Sequence, residues 1–244
     1  MRRFEGKTAL VTGAAGGIGL ALVRMLRAEG ARVAVADRDV GAIAAEAHLP
    51  GDLTDACYAD GLAAAAREAL GGLDMLFNNA GIMRRGAVTD TSDDDFRLSL
   101  VVNVEAPFRL SRAAIPLMAA AGGGAIVNTA SCWGLYPGPG HAVYCMTKAA
   151  VASLTQCMAR DHAHQGIRIN AACPNEVDTP MLRTGFSVRG FDPATAVADL
   201  GKTVPLGRIA QPEDIADVAL FLASDQARYI CGALIEVNGG KAVS

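Results

Sequence analysis

Thr8-Ala9-Leu10-Val11-Thr12-Gly13-Ala14-Ala15-Gly16-Gly17-Ile18-Gly19 is the stretch that decides the fold. Its first five residues form a short apolar run. The glycines then break it, and Ile18, Leu22, Met25 and Leu26 follow at the i, i+4, i+7, i+8 spacing of one helix face, with Gly30 where a helix C-terminal cap belongs. Strand, glycine turn and helix in that order open a βαβ unit. Gly13, Gly17, Ile18 and Gly19 are the candidate cofactor turn: without side chains the backbone bends sharply and approaches a pyrophosphate, whose charge meets free N–H groups at the helix N-terminus. The next apolar run, Arg32 to Ala36, ends at Asp37, 24 positions after Gly13. A carboxylate there accepts hydrogen bonds from the hydroxyls of an adenosine ribose and repels a 2′-phosphate, although Arg38 follows it. NAD is expected rather than NADP.

Working outward, apolar runs recur at Leu73–Asn78, Ala125–Asn128, Ile167–Asn170 and Leu234–Val237. Helical stretches separate them: Asp94–Ala121, Val143–Gln165 and Pro212–Ser224, the last with Pro212 at its first position and Glu213-Asp214 at the positive end of its dipole. Strands alternating with helices predict an α/β fold, a doubly wound parallel sheet covered on both faces, in a single domain over 1–244. The segment after Asp37 is short, and the pattern there predicts a brief helix over Asp39–Ala47 and a strand stub over His48–Leu53.

Composition closes off other classes. Of 244 residues 51% are hydrophobic and 19% charged, enough for a real core and too ordered for a disordered chain. Twenty-two basic against 25 acidic residues give a net charge of −3, without the basic excess of a nucleic-acid surface or the polybasic patch of a lipid-binding one. No apolar run follows Met1-Arg2-Arg3, so no leader is expected, and the charge-free stretch Ala113–His141 is interrupted by Pro116, Gly122-Gly123-Gly124, Pro137 and Pro139, which argues against a membrane helix. Six cysteines show neither Cys-x-x-Cys nor zinc spacing; reduced thiols in a cytoplasmic protein are expected, and no metal. His162 and His164 lack further ligands and read as solvated helix-end residues.

Thr12-Gly13-x-x-x-Gly17-Ile18-Gly19, Asn78-Asn79-Ala80-Gly81, Asn103, Ser131 and Tyr144-x-x-x-Lys148 occur in that order. Singly, each has a plain structural reading: an amphipathic core tyrosine, a solvated lysine, a serine capping a turn. Together they resemble the short-chain dehydrogenase/reductase family over essentially the whole chain. The resemblance implies a Rossmann sheet of seven parallel strands. It also implies a catalytic set of Asn103, Ser131, Tyr144 and Lys148: Tyr144 as general acid/base, Lys148 holding the nicotinamide ribose, Ser131 bonding the substrate oxygen, and Asn103 holding a relay water. Four residues apart on a helix, Tyr144 and Lys148 share a face, and an ammonium beside a phenol lowers its pKa from about 10. By the same resemblance Asp52 and Leu53 contact the adenine, Asn79 and Ala80 line the ribose and sheet floor, and Thr179 meets the nicotinamide carboxamide.

Two departures bear on substrate. Pro174-Asn175-Glu176 stands where the family often has Pro-Gly, and Asn175 is expected to tolerate a positive φ there. Met146-Thr147 replaces the usual Ala-Ser before the lysine, with Cys145 beside the tyrosine. The segment 181–200 is the expected lid, carrying Arg183 and Arg189. Trp133 and His141, with Asn175 and Arg183, are the expected substrate contacts beside Ser131 and Tyr144. A small polar, anionic hydroxy or oxo compound fits such groups better than a steroid. A non-catalytic NAD-binding regulator is the alternative, and a nucleotide-sugar epimerase a further one that needs an added substrate domain. Broad apolar surfaces around Val104–Met118 and Ala149–Met158 predict a homotetramer, with Ile230–Gly240 at a second interface.

Overall fold

Seven strands lie side by side in one sheet of order β3-β2-β1-β4-β5-β6-β7, every pair parallel. The computed structural model describes residues 2–241, leaving Met1 of the basic start outside. The strands are β1 Thr8–Thr12, β2 Arg32–Asp37, β3 Ala47–Pro50, β4 Met75–Asn78, β5 Gly124–Thr129, β6 Ile167–Pro174 and β7 Leu234–Val237. The chain builds outward from β1 to β3, then returns to pair β4 against the other side of β1. That reversal makes a switch point, and in open α/β sheets ligands sit there, beyond the carboxyl ends of the strands.

The central strands are apolar on both faces because both are covered. Ala9 and Val11 of β1 pack with Val33, Phe77 and the helices α1 (Gly17–Ala28) and α9 (Pro212–Ala223) through Leu22, Leu26, Ala216 and Leu220. Leu10, the residue between them, points the other way, into Leu62 of α2 (Ala56–Leu70) and Leu110 and Met118 of α4 (Ala106–Ala120). The period-two reversal of side chains thus feeds two cores from one strand. Each fully buried leucine contributes roughly 1.5–3 kcal/mol by leaving water.

Helix ends follow their sequence signals. Pro212 opens α9, and Asp214 and Gln211 form a reciprocal cap at its first turn. The remaining helices are α3 (Asp93–Leu100), α5 (Cys132–Leu135), α6 (Ala142–His162), α7 (Pro180–Val188) and α8 (Pro193–Lys202).

Two expectations are corrected. No helix forms over Asp39–Ala47: Asp39 Oδ1 accepts from Gly41 N at 3.2 Å, Val40 and Ile43 turn into the core, and Glu46 bonds the N–H of Val33, so the segment is a tight turn. β3 begins at Ala47 and ends at Pro50. The long helix expected from Asp94 to Ala121 is α3 and α4 joined through a π turn at Val101–Glu105, with Asn103 at its centre. Among the described residues no helix is long and apolar enough to cross a membrane, and all six cysteines are unbridged.

Candidate active site

At the switch point the glycine turn is fixed by contacts that leave no room for side chains. A Cβ on Gly13, whose φ is +64°, would lie 2.7 Å from Ala80 Cα; one on Gly19 would lie 1.9 Å from the Gly13 carbonyl oxygen. Gly17, at φ +47°, faces Thr179, whose Cγ2 would be 2.9 Å from a Cβ there. Asn79 holds the turn from beneath: its Nδ2 donates to the carbonyls of Thr12 and Gly13, both at 3.1 Å, while Thr12 Oγ1 accepts from the N–H groups of Asn79 and Ala80. Ile18 is half-buried against the core beside it. Gly16 caps α1 without any side-chain hydrogen bond. The first-turn N–H groups of α1 therefore lack a side-chain acceptor, as a pyrophosphate site requires.

Asp37 ends β2 beside this turn. Its Oδ2 accepts from Ala15 N at 3.0 Å and its Oδ1 from Arg38 N at 2.7 Å, so the carboxylate also braces the turn. The Asp37 carbonyl accepts from Gly51 N, which brings the β3 end and Asp52-Leu53 alongside. Thr54 donates its N–H to Asp52 Oδ1 at 2.9 Å and, with its side chain, holds that carboxyl below its usual pKa. Leu53 packs on the second core.

On the other side of β1 the polar residues converge. Asn103 is buried; its Oδ1 accepts from Ile82 N at 2.8 Å, and its Nδ2 donates to the Ile82 carbonyl and to Thr147 Oγ1 at 2.9 and 3.0 Å. A single residue placed in a π turn, a common feature of functional sites, thereby clamps the loop after β4. Lys148, 5% exposed, donates Nζ to the Thr129 carbonyl at 2.7 Å and lies 5.9 Å from the centre of the Tyr144 ring. Gly81 makes room for both: a Cβ there would sit 3.3 Å from Lys148 Nζ and 3.4 Å from Asn103 Oδ1. Ser131 Oγ donates to the Pro174 carbonyl at 3.3 Å and accepts from Trp133 N, capping α5, which is its plain structural role.

The titration of this group differs from the expected direction. Burial raises the Tyr144 phenol above its ordinary value, with hydrogen bonding to Ser131 and the charge of Arg85 opposing. Burial also lowers Lys148 to about 8. In the free chain, removal from water outweighs the Ser131 hydrogen bond and the Arg85 charge that act on the phenol.

The substrate side is built from the segments after β4, β5 and β6. Trp133 and His141 meet edge-on with ring centres 4.6 Å apart, and Trp133 Nε1 donates to Asn175 Oδ1 at 3.3 Å. Among the described residues no non-glycine has a positive φ, so Asn175 continues ordinary backbone instead of replacing the flexible glycine. Its Nδ2 is buried without a partner. Such an orphaned donor is costly unless a bound group accepts from it, and it lies at the end of β6 where the nicotinamide end of a cofactor is expected. Glu176, the other departure, is engaged with Lys241 at 2.7 Å.

Arg183 does not reach a substrate position with a free charge. Asp178 holds its guanidinium through two of its three nitrogens, Nε at 2.6 Å and Nη2 at 2.8 Å. Sequence reasoning missed Arg85 instead. It follows Asn79-Ala80-Gly81 in the loop beyond β4, and the rule that ligands sit beyond carboxyl strand ends was the signal that could have found it. Thr147, which orients Asn103, was read only as a departure from the family pattern, and Gly81 only as part of a motif.

These elements define a dinucleotide-binding α/β fold with a tyrosine–lysine site at its switch point. The chain belongs to the short-chain dehydrogenase/reductase family: residues 13–242 match the family described as Enoyl-(Acyl carrier protein) reductase. It is 39% identical over 251 residues to meso-2,3-butanediol dehydrogenase of Serratia marcescens, covering 99% of this chain and 97% of that one. It is 36% identical over 252 residues to 2,5-dichloro-2,5-cyclohexadiene-1,4-diol dehydrogenase of Sphingobium indicum, covering 99% and 98%. The ligand-free aldohexose dehydrogenase of Thermoplasma acidophilum superposes with a TM-score of 0.94 at 30% identity, over 100% of this chain and 96% of that one.

Proposed function

We propose that this chain is an NAD(H)-dependent dehydrogenase that interconverts a secondary alcohol and a ketone in a small polar compound. The observation that carries the reading is the gathering of Ser131, Tyr144, Lys148 and Asn103 beside a helix turn with no side-chain cap. Three relatives whose names are those of dehydrogenases support it. A rival reading, a non-catalytic NAD-binding regulator, has no support in a site that keeps all four residues.

Gly13, Gly17, Ile18 and Gly19 would hold the pyrophosphate, Asp37 the adenosine ribose, Asp52 and Leu53 the adenine, Asn79 and Ala80 the floor, and Thr179 with the orphaned Asn175 amide the carboxamide. Bound NAD⁺ would supply the acceptor for the hydride leaving the carbinol carbon, giving ketone, NADH and one proton. Tyr144 takes that proton from the substrate hydroxyl in oxidation and returns it in reduction. Ser131 fixes the substrate oxygen near the phenol. Lys148 bonds the nicotinamide ribose, and its charge favours phenolate once the site is filled. Both amide hydrogens of Asn103 are committed, so a relay water meets the second lone pair of Oδ1. The helices α7 and α8 cover the site as a lid over 181–200.

We infer a cytoplasmic homotetramer. Phe108 on α4 and Met146 on α6 are 47% and 44% exposed, and Tyr229 before β7 is fully exposed, as expected of helix and C-terminal faces that meet other copies. Light scattering at micromolar concentration tests this; a mass of one chain rejects it. Polyols, sugar acids and small hydroxy-sulfonates offered with NAD⁺ or NADP⁺, followed by reduced-nicotinamide absorbance, test the activity. Faster turnover with NADP⁺ at equal concentration overturns the cofactor assignment, and no turnover of any alcohol overturns the enzyme reading.

A further inference from the structure

Two arginines meet over one glycine at the mouth of this site. Arg85 lies against Gly185 of α7 so closely that a Cβ there would be 2.4 Å from its Nη2. Arg189, one turn on, donates Nε to the Gly185 carbonyl at 2.9 Å and is flanked by the Phe186 and Phe191 rings, 5.0 and 5.7 Å from their centres. The backbone carries Arg85 to the catalytic helix: Gly86 pairs with His141 in a parallel bridge, Gly86 N donating to the Gly140 carbonyl at 2.8 Å. His141 caps α6 three positions before Tyr144.

Neither guanidinium has an acid. Among the described residues the neighbouring cations are matched, Arg84 with Asp95 at 2.9 Å and Arg183 with Asp178 at 2.6 Å, whereas Arg85 and Arg189 form no ion pair. Both residues are exposed, so water screens part of the repulsion between the like charges and leaves the pair open to an incoming anion. The charges register on their surroundings: partial burial and then the field of Arg189 lower Arg85, and burial with the two arginine charges lowers His141 against the opposing bond to the Pro139 carbonyl. A bound anion removes the repulsion, and guanidinium forks match the oxygens of carboxylate, sulfonate or phosphate.

We propose that Arg85 and Arg189 form the anion subsite for the substrate, which is a small hydroxy or oxo acid carrying its oxyanion on the lid side of the carbinol carbon. The proposal rests on the dehydrogenase reading above and names its substrate class. It moves the anion contact from Arg183, whose charge is spent, to two residues from loops a hundred positions apart. Arg85 and Arg189 bind the remote group, while Ser131 and Tyr144 bind the reacting oxygen, so the pair sets KM and orientation more than proton transfer.

The test compares 3-hydroxybutyrate with 3-hydroxybutanamide, and lactate with lactamide, adding 2-hydroxypropane-1-sulfonate as the tetrahedral anion. The acids are expected to exceed their amides in kcat/KM by about tenfold or more, on the scale of one charge-assisted bond. Arg85→Gln and Arg189→Gln each collapse that ratio through KM, Arg189→Lys keeps part of it, and Arg183→Gln leaves it near the starting value. Amides used as well as acids, or a ratio untouched in both glutamine variants, overturns the subsite. Calorimetric titration with malonate at low ionic strength decides the same point without turnover. The unaltered protein binds it and the Arg85→Gln/Arg189→Gln double variant binds about tenfold less, whereas equal binding overturns the subsite. If no alcohol is oxidised but malonate still depends on the two arginines, the dehydrogenase reading fails and the anion site stands.

Discussion

The two sides of the switch point are built by different means. The cofactor side, around the turn after β1, is made of backbone braced by two short side chains: glycine turn against Ala80, Asn79 amide against two carbonyls, Asp37 carboxylate against the Ala15 N–H. The substrate side is made of side chains delivered by loops after β4, β5 and β6: Arg85, Trp133 with His141, Asn175 and Arg189. A backbone-made site tolerates little change at its close contacts because a Cβ added at Gly13, Gly17 or Gly19 collides. A side-chain-made site keeps its scaffold when its residues change, so it is the half where one fold diverges in substrate.

The largest test of the division is Tyr144→Phe, which sits on the border between the halves. The ring and its packing remain, and only the hydroxyl is lost. Turnover should fall by about 10²–10⁴-fold, the usual contribution of a positioned acid/base, while NADH affinity measured by fluorescence titration stays within about threefold. Activity retained above roughly a hundredth would place the proton transfer elsewhere.

Next is Gly13→Val on the cofactor side. The residue sits at φ +64°, and its added Cβ would lie 2.7 Å from Ala80 Cα. Backbone strain of about 1–3 kcal/mol, plus a displaced turn, should weaken NADH binding by about tenfold to a hundredfold. Trp133→Phe is the matched change opposite: it removes the donor to Asn175 Oδ1 and should raise substrate KM while leaving NADH affinity alone. Equal effects of both variants on both ligands would dissolve the distinction between the halves.

That distinction also explains what could be read from sequence. The sheet, its seven strands and the glycine turn were legible because alternation and glycine spacing are local consequences of backbone geometry. Asp39–Ala47 misled because nine residues without a cap look helical by composition, while an Asp39–Gly41 turn and the Glu46 bond to Val33 win in the fold. Asn103 was legible as a motif residue inside an expected helix, but the π turn around it was not, since no residue pattern encodes an i→i+5 bond. Arg183 was singled out in the sequence and Arg85 was not. Whether an arginine is free depends on its partner, and the Asp178 that neutralises Arg183 and the Gly185 that seats Arg85 are tertiary facts.

Asp37→Ala sharpens the cofactor side further. The change removes the brace on Ala15 N and, on the cofactor reading proposed above, an acceptor for the ribose hydroxyls and a negative charge facing any 2′-phosphate. The NAD over NADP preference in Kd should narrow by about tenfold, the order of one hydrogen bond to a charged group. An unchanged ratio would show that Asp37 serves the turn alone.

The smallest expected effect concerns Lys148, which both halves use, and it is read in stability. Burial lowers its folded pKa to about 8, whereas an unfolded lysine titrates at 10.5. Between those values the unfolded chain holds a proton that the folded chain has released, so unfolding takes up a proton and stability rises with pH. Below about 8 both states are protonated and the folded one carries the cost of a buried ammonium. Lys148→Met removes this dependence. In urea unfolding of the cofactor-free protein, wild type should therefore gain about 1 kcal/mol on Lys148→Met between pH 7.5 and pH 9, on the linkage of 1.36 kcal/mol per proton per unit. Tyr144, raised by the same burial, stays protonated in both states across that window and does not reverse the sign. A gap that stays constant, or closes with rising pH, would mean that Lys148 is fully charged in the folded chain and that its bond to the Thr129 carbonyl offsets its loss of water.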